Sequence, residues 1–347
     1  MNPEMPIVVL VGTAYERGIA HGSRFKRQIS DILDRDLGQL TAADLAVVRM
    51  RASDGFERIR SFAPQVADEI TGIADGMGRD VQDLVLRSGF ELFKPIDDTG
   101  CSALSAKTQS GAIAAQNWDG LPSKHGDLAL FLHFAPDGFQ FAVVDSFGSL
   151  GAAGMNRHGL GLVNTDLLLR GTKAGIPSRV VRRLILEMPD VRLAAQRISE
   201  LPHMGGRAYL LADRKGDVTA VEVSARSGAN FLPAADVYLH TNNTVLPATR
   251  EEEDIETLSR VYPSSTTRLS ALSSALKHEK ISVDGVKRML RDETGAPDSV
   301  CKTSSTAEPT ETAFSIVMDC SRGEMHLAAG RPASNAYRTI SLPTGQR

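Results

Sequence analysis

Two short runs govern the reading of this chain: Asp97-Asp98-Thr99-Gly100-Cys101-Ser102 and, a little further on, Gln116-Asn117-Trp118-Asp119. The first marks a change of texture. Before it, Phe56, Ile59, Phe62, Val66, Ile70 and Ile73 recur at steps of three and four, the spacing of one apolar helix face. Ser53 and Asp54 read as its N-cap and Gly76 as its end. Asp80 then opens a short helix through Val81, Leu84 and Val85 towards Phe93.

After the first run the periodicity drops to that of strands. Ile113–Asn117, Ala129–Phe134, Gln140–Asp145, Leu160–Asn164, Ala208–Asp213, Val218–Val223 and Val237–Thr241 are short apolar stretches, punctuated by turns such as Pro136-Asp137-Gly138. Helical stretches fall at Ser178–Met188, Val191–Glu200, Thr266–Lys277 and Ser282–Asp292. A last hairpin, Phe314–Asp319 with Glu324–Ala329, turns at Ser321-Arg322-Gly323. Hairpins in series do not suit the strict βαβ alternation of a parallel sheet, so the expectation is α+β, layered sheets with helices outside. The polar stretch Cys301 to Glu311 reads as a mobile loop, and Glu251-Glu252-Glu253-Asp254 as a solvated helix start.

Composition narrows the function. The 347 residues carry 39 Lys+Arg against 42 Asp+Glu, a net charge of −3. A near-neutral chain without a basic run is a poor partner for nucleic acid or an anionic membrane. Three cysteines, Cys101, Cys301 and Cys320, are too few and scattered for a disulfide framework. There is no CxxC, HxxxH or HExxH, so no metal is expected. The apolar run Ile7 to Val11 is too short for a signal segment, which makes a cytoplasmic protein the default expectation.

Cys101 admits three readings. A buried structural thiol is the ordinary one. A papain-like nucleophile is the second, since His240 falls within the ~130–150-residue spacing of such enzymes. The third is an N-terminal nucleophile freed by autoproteolysis. Its thiol would attack the Gly100 carbonyl, and glycine there tolerates the strained backbone of an N-to-S acyl shift. The released α-amine, with a reference pKa of about 7.7–8.0, would serve as base to its own thiol.

The remaining motifs bear on that choice. Gly100-Cys101-Ser102 followed by Gln116-Asn117-Trp118-Asp119 resembles the signature of the penicillin acyltransferase-like family of N-terminal nucleophile hydrolases, relatives of the bile-salt hydrolases. The opening Gly12-Thr13-Ala14-Tyr15-Glu16-Arg17-Gly18-Ile19-Ala20-His21-Gly22 is similar to an element near the start of acyltransferase-type precursors. Gly154-Met155-Asn156-Arg157-His158-Gly159-Leu160, His240-Thr241-Asn242 and Ser265-Thr266-Thr267-Arg268 resemble elements of the bile-salt group. The likeness runs from residue 12 to about 332, with the motifs in family order.

The resemblance implies a four-layer αββα sandwich. It implies a precursor cleaved between Gly100 and Cys101 into a helical fragment, 1–100, that stays bound to a catalytic fragment, 101–347. Cys101 would be both the autoprocessing residue and the acyl-accepting nucleophile. Asp119 would sit beside the new N-terminus, Asn242 would contribute to an oxyanion hole, and Arg268 would fix the surrounding charges. Gln116, Asn164 and Asp166 fall where relatives contact substrate. The partner implied is a small-molecule amide, with no cofactor; whether copies of the chain associate is left open. The Ser123–Asp127 loop and the Phe131–Phe134 strand are candidates to line an acyl pocket. Acyl transfer from a thioester donor to an amine would use the same residues.

Overall fold

The strand periodicity resolves into two stacked sheets in the computed structural model, which describes residues 4–89, 91–92 and 99–343. Phe93, Asp97 and Asp98 of the sequence reading lie outside the described residues. Strand β1 (Ile7–Val11) is followed by helices α1 (Ala14–Arg24), α2 (Lys26–Leu37), α3 (Ala42–Phe62), α4 (Pro64–Met77) and α5 (Val81–Val85). Six strands come next: β2 (Thr99–Thr108), β3 (Gly111–Gly120), β4 (Leu128–Ala135), β5 (Gly138–Ser146), β6 (Ala153–Asn156) and β7 (Gly161–Asp166). Helices α6 (Ser178–Leu186) and α7 (Val191–Glu200) lead into β8 (Arg207–Ala212), β9 (Val218–Ser224), β10 (Gly228–Phe231) and β11 (Val237–His240). Helices α8 (Pro247–Arg250), α9 (Ile255–Val261), α10 (Ser265–Leu276) and α11 (Val283–Leu290) precede β12 (Glu311–Asp319), β13 (Glu324–Ala329) and β14 (Arg338–Ser341).

The first sheet runs β1-β4-β5-β6-β7-β8-β9-β10 and the second β11-β2-β3-β12-β13-β14. Pairing is antiparallel except for β1 on β4. Between the sheets the facing residues are largely small: Ala103, Ala114, Ala142, Ala153, Ala208 and Ala220 are all fully buried there. Small side chains let the two sheets approach closely, and Phe314, Met155 and Leu210 fill the remaining space. The outer face of the first sheet packs Val143, Leu162, Tyr209 and Val221 against α1–α7. The outer face of the second packs Leu104, Ile113, Ala115 and Val317 against α10 and α11. The four-layer αββα expectation therefore holds.

Helix α1 lies almost backbone to backbone on α4. A Cβ on Gly18, Gly22 or Gly72 would collide with the main chain of the other helix, and one on Gly76 would stand 2.6 Å from the Ile19 carbonyl. The opening motif is thus a packing device. Thr13 and Glu16 form its capping box. Arg17 and Arg183 both pair with the buried Glu69, at 3.5 and 2.8 Å, and His21 Nε2 accepts the Gly148 N–H at 3.0 Å.

Four details depart from the sequence reading. The stretch from Phe56 to Ile73 is two helices, because Pro64 lacks the N–H a continuous helix would need and starts α4 instead. Ser53 and Asp54 accordingly lie inside α3, and α4 ends on Gly78 (φ 68°), not Gly76. The stretch 301–311 is packed, not loose: Lys302 is fully buried and its Nζ donates to the carbonyls of Glu308 (3.2 Å) and Thr310 (2.7 Å). Glu252 and Glu253 are buried acceptors for Ser224 Oγ and the Thr244 N–H, at 3.0 and 2.6 Å. Among the described residues no helix is long and apolar enough to cross a membrane.

Candidate active site

Cys101 sits near the start of β2, in register with Trp118 of β3, while Gly100 is paired with Asp119. Alternation puts the Cys101 thiol on the inter-sheet face with Ala103, and Asp119 on the outer face with Ile113 and Ala115. Asp119 reaches the site through its strand partner. A Cβ on Gly100 would stand 3.1 Å from Asp119 Oδ2 and 3.8 Å from an Arg268 terminal nitrogen. The missing Cβ of Gly100 leaves space there for the carboxylate and guanidinium.

Two side chains hold the backbone of Cys101. Its N–H donates to Asn242 Oδ1 at 2.9 Å. Its carbonyl accepts from Arg268 Nη1, which also reaches Ser102 Oγ at 3.1 Å. Arg268 Nη2 donates to Asn242 Oδ1 at 2.8 Å and Nε to Ser264 Oγ at 2.9 Å. Arg268 occupies the first turn of α10, where the helix dipole disfavours a cation; being fully buried, it depends on these acceptors. The loop after β11 delivers Asn242, and Ser265 Oγ accepts its backbone N–H at 2.9 Å. Asn242 Nδ2 donates to the Asp166 carbonyl at 3.2 Å, which engages one of its two amide protons.

The thiol itself is closed off, 1% exposed. Gln116 Nε2 donates to Sγ at 3.1 Å. Burial, and next the charge of Asp119, push the thiol up to about 12, against the pull of Arg268 and the Gln116 hydrogen bond. Burial also raises the Asp119 carboxyl, opposed by Arg268, Lys302 and the Thr312 hydroxyl. Thr312 Oγ1 donates to Asp119 Oδ1 at 2.8 Å, whereas Oδ2 is buried with no hydrogen-bond partner among the described residues.

Asp119, Asn242, Arg268 and Gln116 thus gather around Gly100 and Cys101. Asn164 does not: its side chain turns to the outer, helical layer and donates to the Ala152 carbonyl at 2.7 Å. Only its backbone N–H joins the site, donating to Gln116 Oε1 at 3.1 Å. Asp166 is ion-paired with Arg207 and accepts from Tyr262 Oη at 3.3 Å. The papain-like pairing has no support, because both His240 nitrogens are spent elsewhere: Nε2 on Glu222 at 2.9 Å, Nδ1 on Thr165 Oγ1 at 2.8 Å and the Thr241 carbonyl at 2.6 Å. Of the acyl-pocket candidates, Leu132 and Phe134 share the inter-sheet face with Trp118, but Phe131 packs under the helices. Ser102, Lys302 and Thr312 were not expected. Thr312 is in register with Asp119 on β12, a relation no spacing announces. Among the described residues no group of three or more His, Cys, Asp or Glu is arranged to hold a metal ion.

A family described as acyl-coenzyme A:6-aminopenicillanic acid acyl-transferase matches residues 106–334, beginning just after Cys101. The chain is 25% identical over 334 residues to the acyl-coenzyme A:6-aminopenicillanic-acid-acyltransferase 40 kDa form of Emericella nidulans, covering 94% of this chain and 92% of that protein. Among solved structures it is similar to a conjugated bile acid hydrolase mutant of Clostridium perfringens, at 11% identity, with 71% of this chain and 93% of that one covered and a TM-score of 0.48. A penicillin V acylase from Agrobacterium tumefaciens follows at 12% identity, 70% and 86% coverage and a TM-score of 0.44.

Proposed function

Since this chain belongs to the acyl-coenzyme A:6-aminopenicillanic acid acyl-transferase family, whose chemistry is acyl transfer or amide hydrolysis, we propose that it is an autoprocessing cysteine amidohydrolase acting on linear amides. The observation that carries this reading is the gathering of Asn242, Arg268 and Asp119 around Gly100 and Cys101.

In the continuous chain, Cys101 Sγ attacks the Gly100 carbonyl carbon. The C–N bond breaks as the thiol proton passes to the departing nitrogen. Water then hydrolyses the thioester, leaving a carboxylate on Gly100 and a free amine on Cys101. The new amine would keep Asn242 Oδ1 as acceptor and gain Asp119 Oδ2, a buried oxygen with no hydrogen-bond partner among the described residues. Departure of Gly100 would also uncover a thiol that burial holds protonated.

In turnover the amine takes the thiol proton as Sγ adds to the substrate carbonyl. The spare Asn242 N–H, with a backbone N–H, receives the developing oxyanion. The ammonium returns its proton to the leaving amine, and the amine then deprotonates water to cleave the thioester. Fragments 1–100 and 101–347 stay together in this reading, because Glu69 of the first is buried against Arg183 of the second at 2.8 Å.

The name of the Emericella nidulans relative favours a second reading, acyl transfer from a thioester donor to an amine, with the amine in place of water. Two measurements separate the cases. Intact mass of the purified protein should show fragments ending at Gly100 and starting at Cys101, with Cys101→Ala left whole; a full-length protein that is active would defeat the mechanism. Free acid released from N-acyl p-nitroanilides without an added amine supports hydrolysis, and strict dependence on an amine supports transfer.

A further inference from the structure

Glu222 stands on β9 between Val221 and Val223. Those two pack under the helices, so its carboxylate points into the space between the sheets, where it is fully buried. A carboxylate left alone there would be strongly destabilising. Four donors converge on it: His240 Nε2 at 2.9 Å, the N–H groups of Val245 and Leu246 at 2.7 and 3.2 Å, and the Thr249 hydroxyl. Burial raises its pKa, yet His240, Thr249 and Val245 together hold it below the usual carboxylate range.

The placement of these donors is informative. His240 is the last residue of β11, an edge strand of the other sheet, and Val245, Leu246 and Thr249 follow directly after. Between them the chain turns through Asn242, whose Oδ1 meets the Cys101 N–H. Glu222 therefore ties both ends of the Asn242 turn to the first sheet, while Ser265 and Glu253 hold it from other sides. We propose that Glu222 is a positioning residue for the reaction at Cys101, holding the 240–249 segment so that Asn242 stays aligned with the reacting bond. This rests on the reading of Cys101 as nucleophile. A displacement of about 1 Å in such a group costs on the order of 100-fold in rate.

The test uses Glu222→Gln, which keeps the shape but replaces a charged acceptor by an amide. On a p-nitroanilide that the parent enzyme turns over, kcat per folded molecule should fall at least about tenfold with KM within about threefold. Glu222→Asp, which restores the charge, should recover part of the loss. In a crystal structure of Glu222→Gln on a Cys101→Ala background, Asn242 Oδ1 should lie beyond hydrogen-bond distance of the nitrogen at position 101. Unchanged kcat overturns the proposal, as does a loss of folded protein alone or a fall in kcat with Asn242 undisplaced. Should Glu222→Gln not fold, Thr249→Val removes one donor and should shift kcat the same way by a smaller factor; no shift overturns the proposal. If Cys101→Ala proves active, the functional reading fails, and the crystal comparison still reports whether Glu222 sets Asn242.

Discussion

Asn242 and Cys101, 141 residues apart, are joined by a 2.9 Å hydrogen bond from the Cys101 N–H to the Asn242 amide oxygen. The same oxygen accepts from Arg268 at 2.8 Å, so one atom links the loop after β11, the start of α10 and the strand bearing the thiol.

Gly100→Ala would place a methyl group 3.1 Å from Asp119 Oδ2, tighter than a relaxed contact. The carboxylate must give way, and with it the alignment at the scissile bond. Processing should slow by about tenfold or more, corresponding to about 1.4 kcal/mol in the barrier. Time-resolved intact mass of freshly made protein measures this; a rate equal to the parent's contradicts the steric account.

Asp119→Asn keeps the size of the side chain and removes its charge. In the proposed mechanism the amine at Cys101 would lose its anionic partner, so kcat/KM should drop on the order of 100-fold, within the range for a displaced acid–base group. The variant should fold, since Thr312 still finds an oxygen acceptor. Activity within about threefold of the parent removes Asp119 from the mechanism.

Gly72→Ala should destabilise the protein by about 1–3 kcal/mol, as overpacking does, because a Cβ there would meet Gly18 Cα at 3.0 Å and the Tyr15 carbonyl closer still. Urea unfolding provides the measure. An unchanged midpoint would mean that α1 and α4 part at little cost.

His21 contributes a pH dependence of stability. Burial lowers its pKa from 6.5 to about 4, and its Nε2 is occupied as an acceptor for the Gly148 N–H. Between pH 6.5 and 4 the unfolded chain binds the proton that the folded chain refuses, so stability rises with pH across this window and is lost on acidification. The slope is about 1.4 kcal/mol per pH unit at most for one such group. His21→Gln, which can still accept from Gly148, should flatten the pH 4–6.5 limb of the stability curve; an unaltered limb assigns it to other groups.

Much of this molecule is legible along the chain. Ala129–Phe134, Gln140–Asp145, Val218–Val223 and the Phe314–Ala329 hairpin appear as strands where alternation and turn residues put them. Local pattern suffices there because a strand's period and its turns are properties of neighbouring residues. The residues gathered around Cys101, namely Gly100, Gln116, Asp119, Asn242 and Arg268, could likewise be named, through short motifs that resemble those of a known family.

What each residue touches was settled only by register and layering. Asn164 and Gln116 both looked like substrate contacts, yet the two-residue period sends the Asn164 side chain under the helices and leaves Gln116 on the thiol. The stretch 301–311 is polar and looked loose. It is packed because β12 lies beside β3, which brings Lys302, Thr310 and Thr312 over Asp119 and makes Lys302 find carbonyl partners once buried. Glu222 reads locally as an ordinary strand carboxylate, and only the stacking of one sheet on the other turns it into the anchor of Asn242. A linear sequence records periodicity and side-chain chemistry. Which face meets which layer, and so which buried charge is paired with what, depends on contacts between residues far apart in the chain.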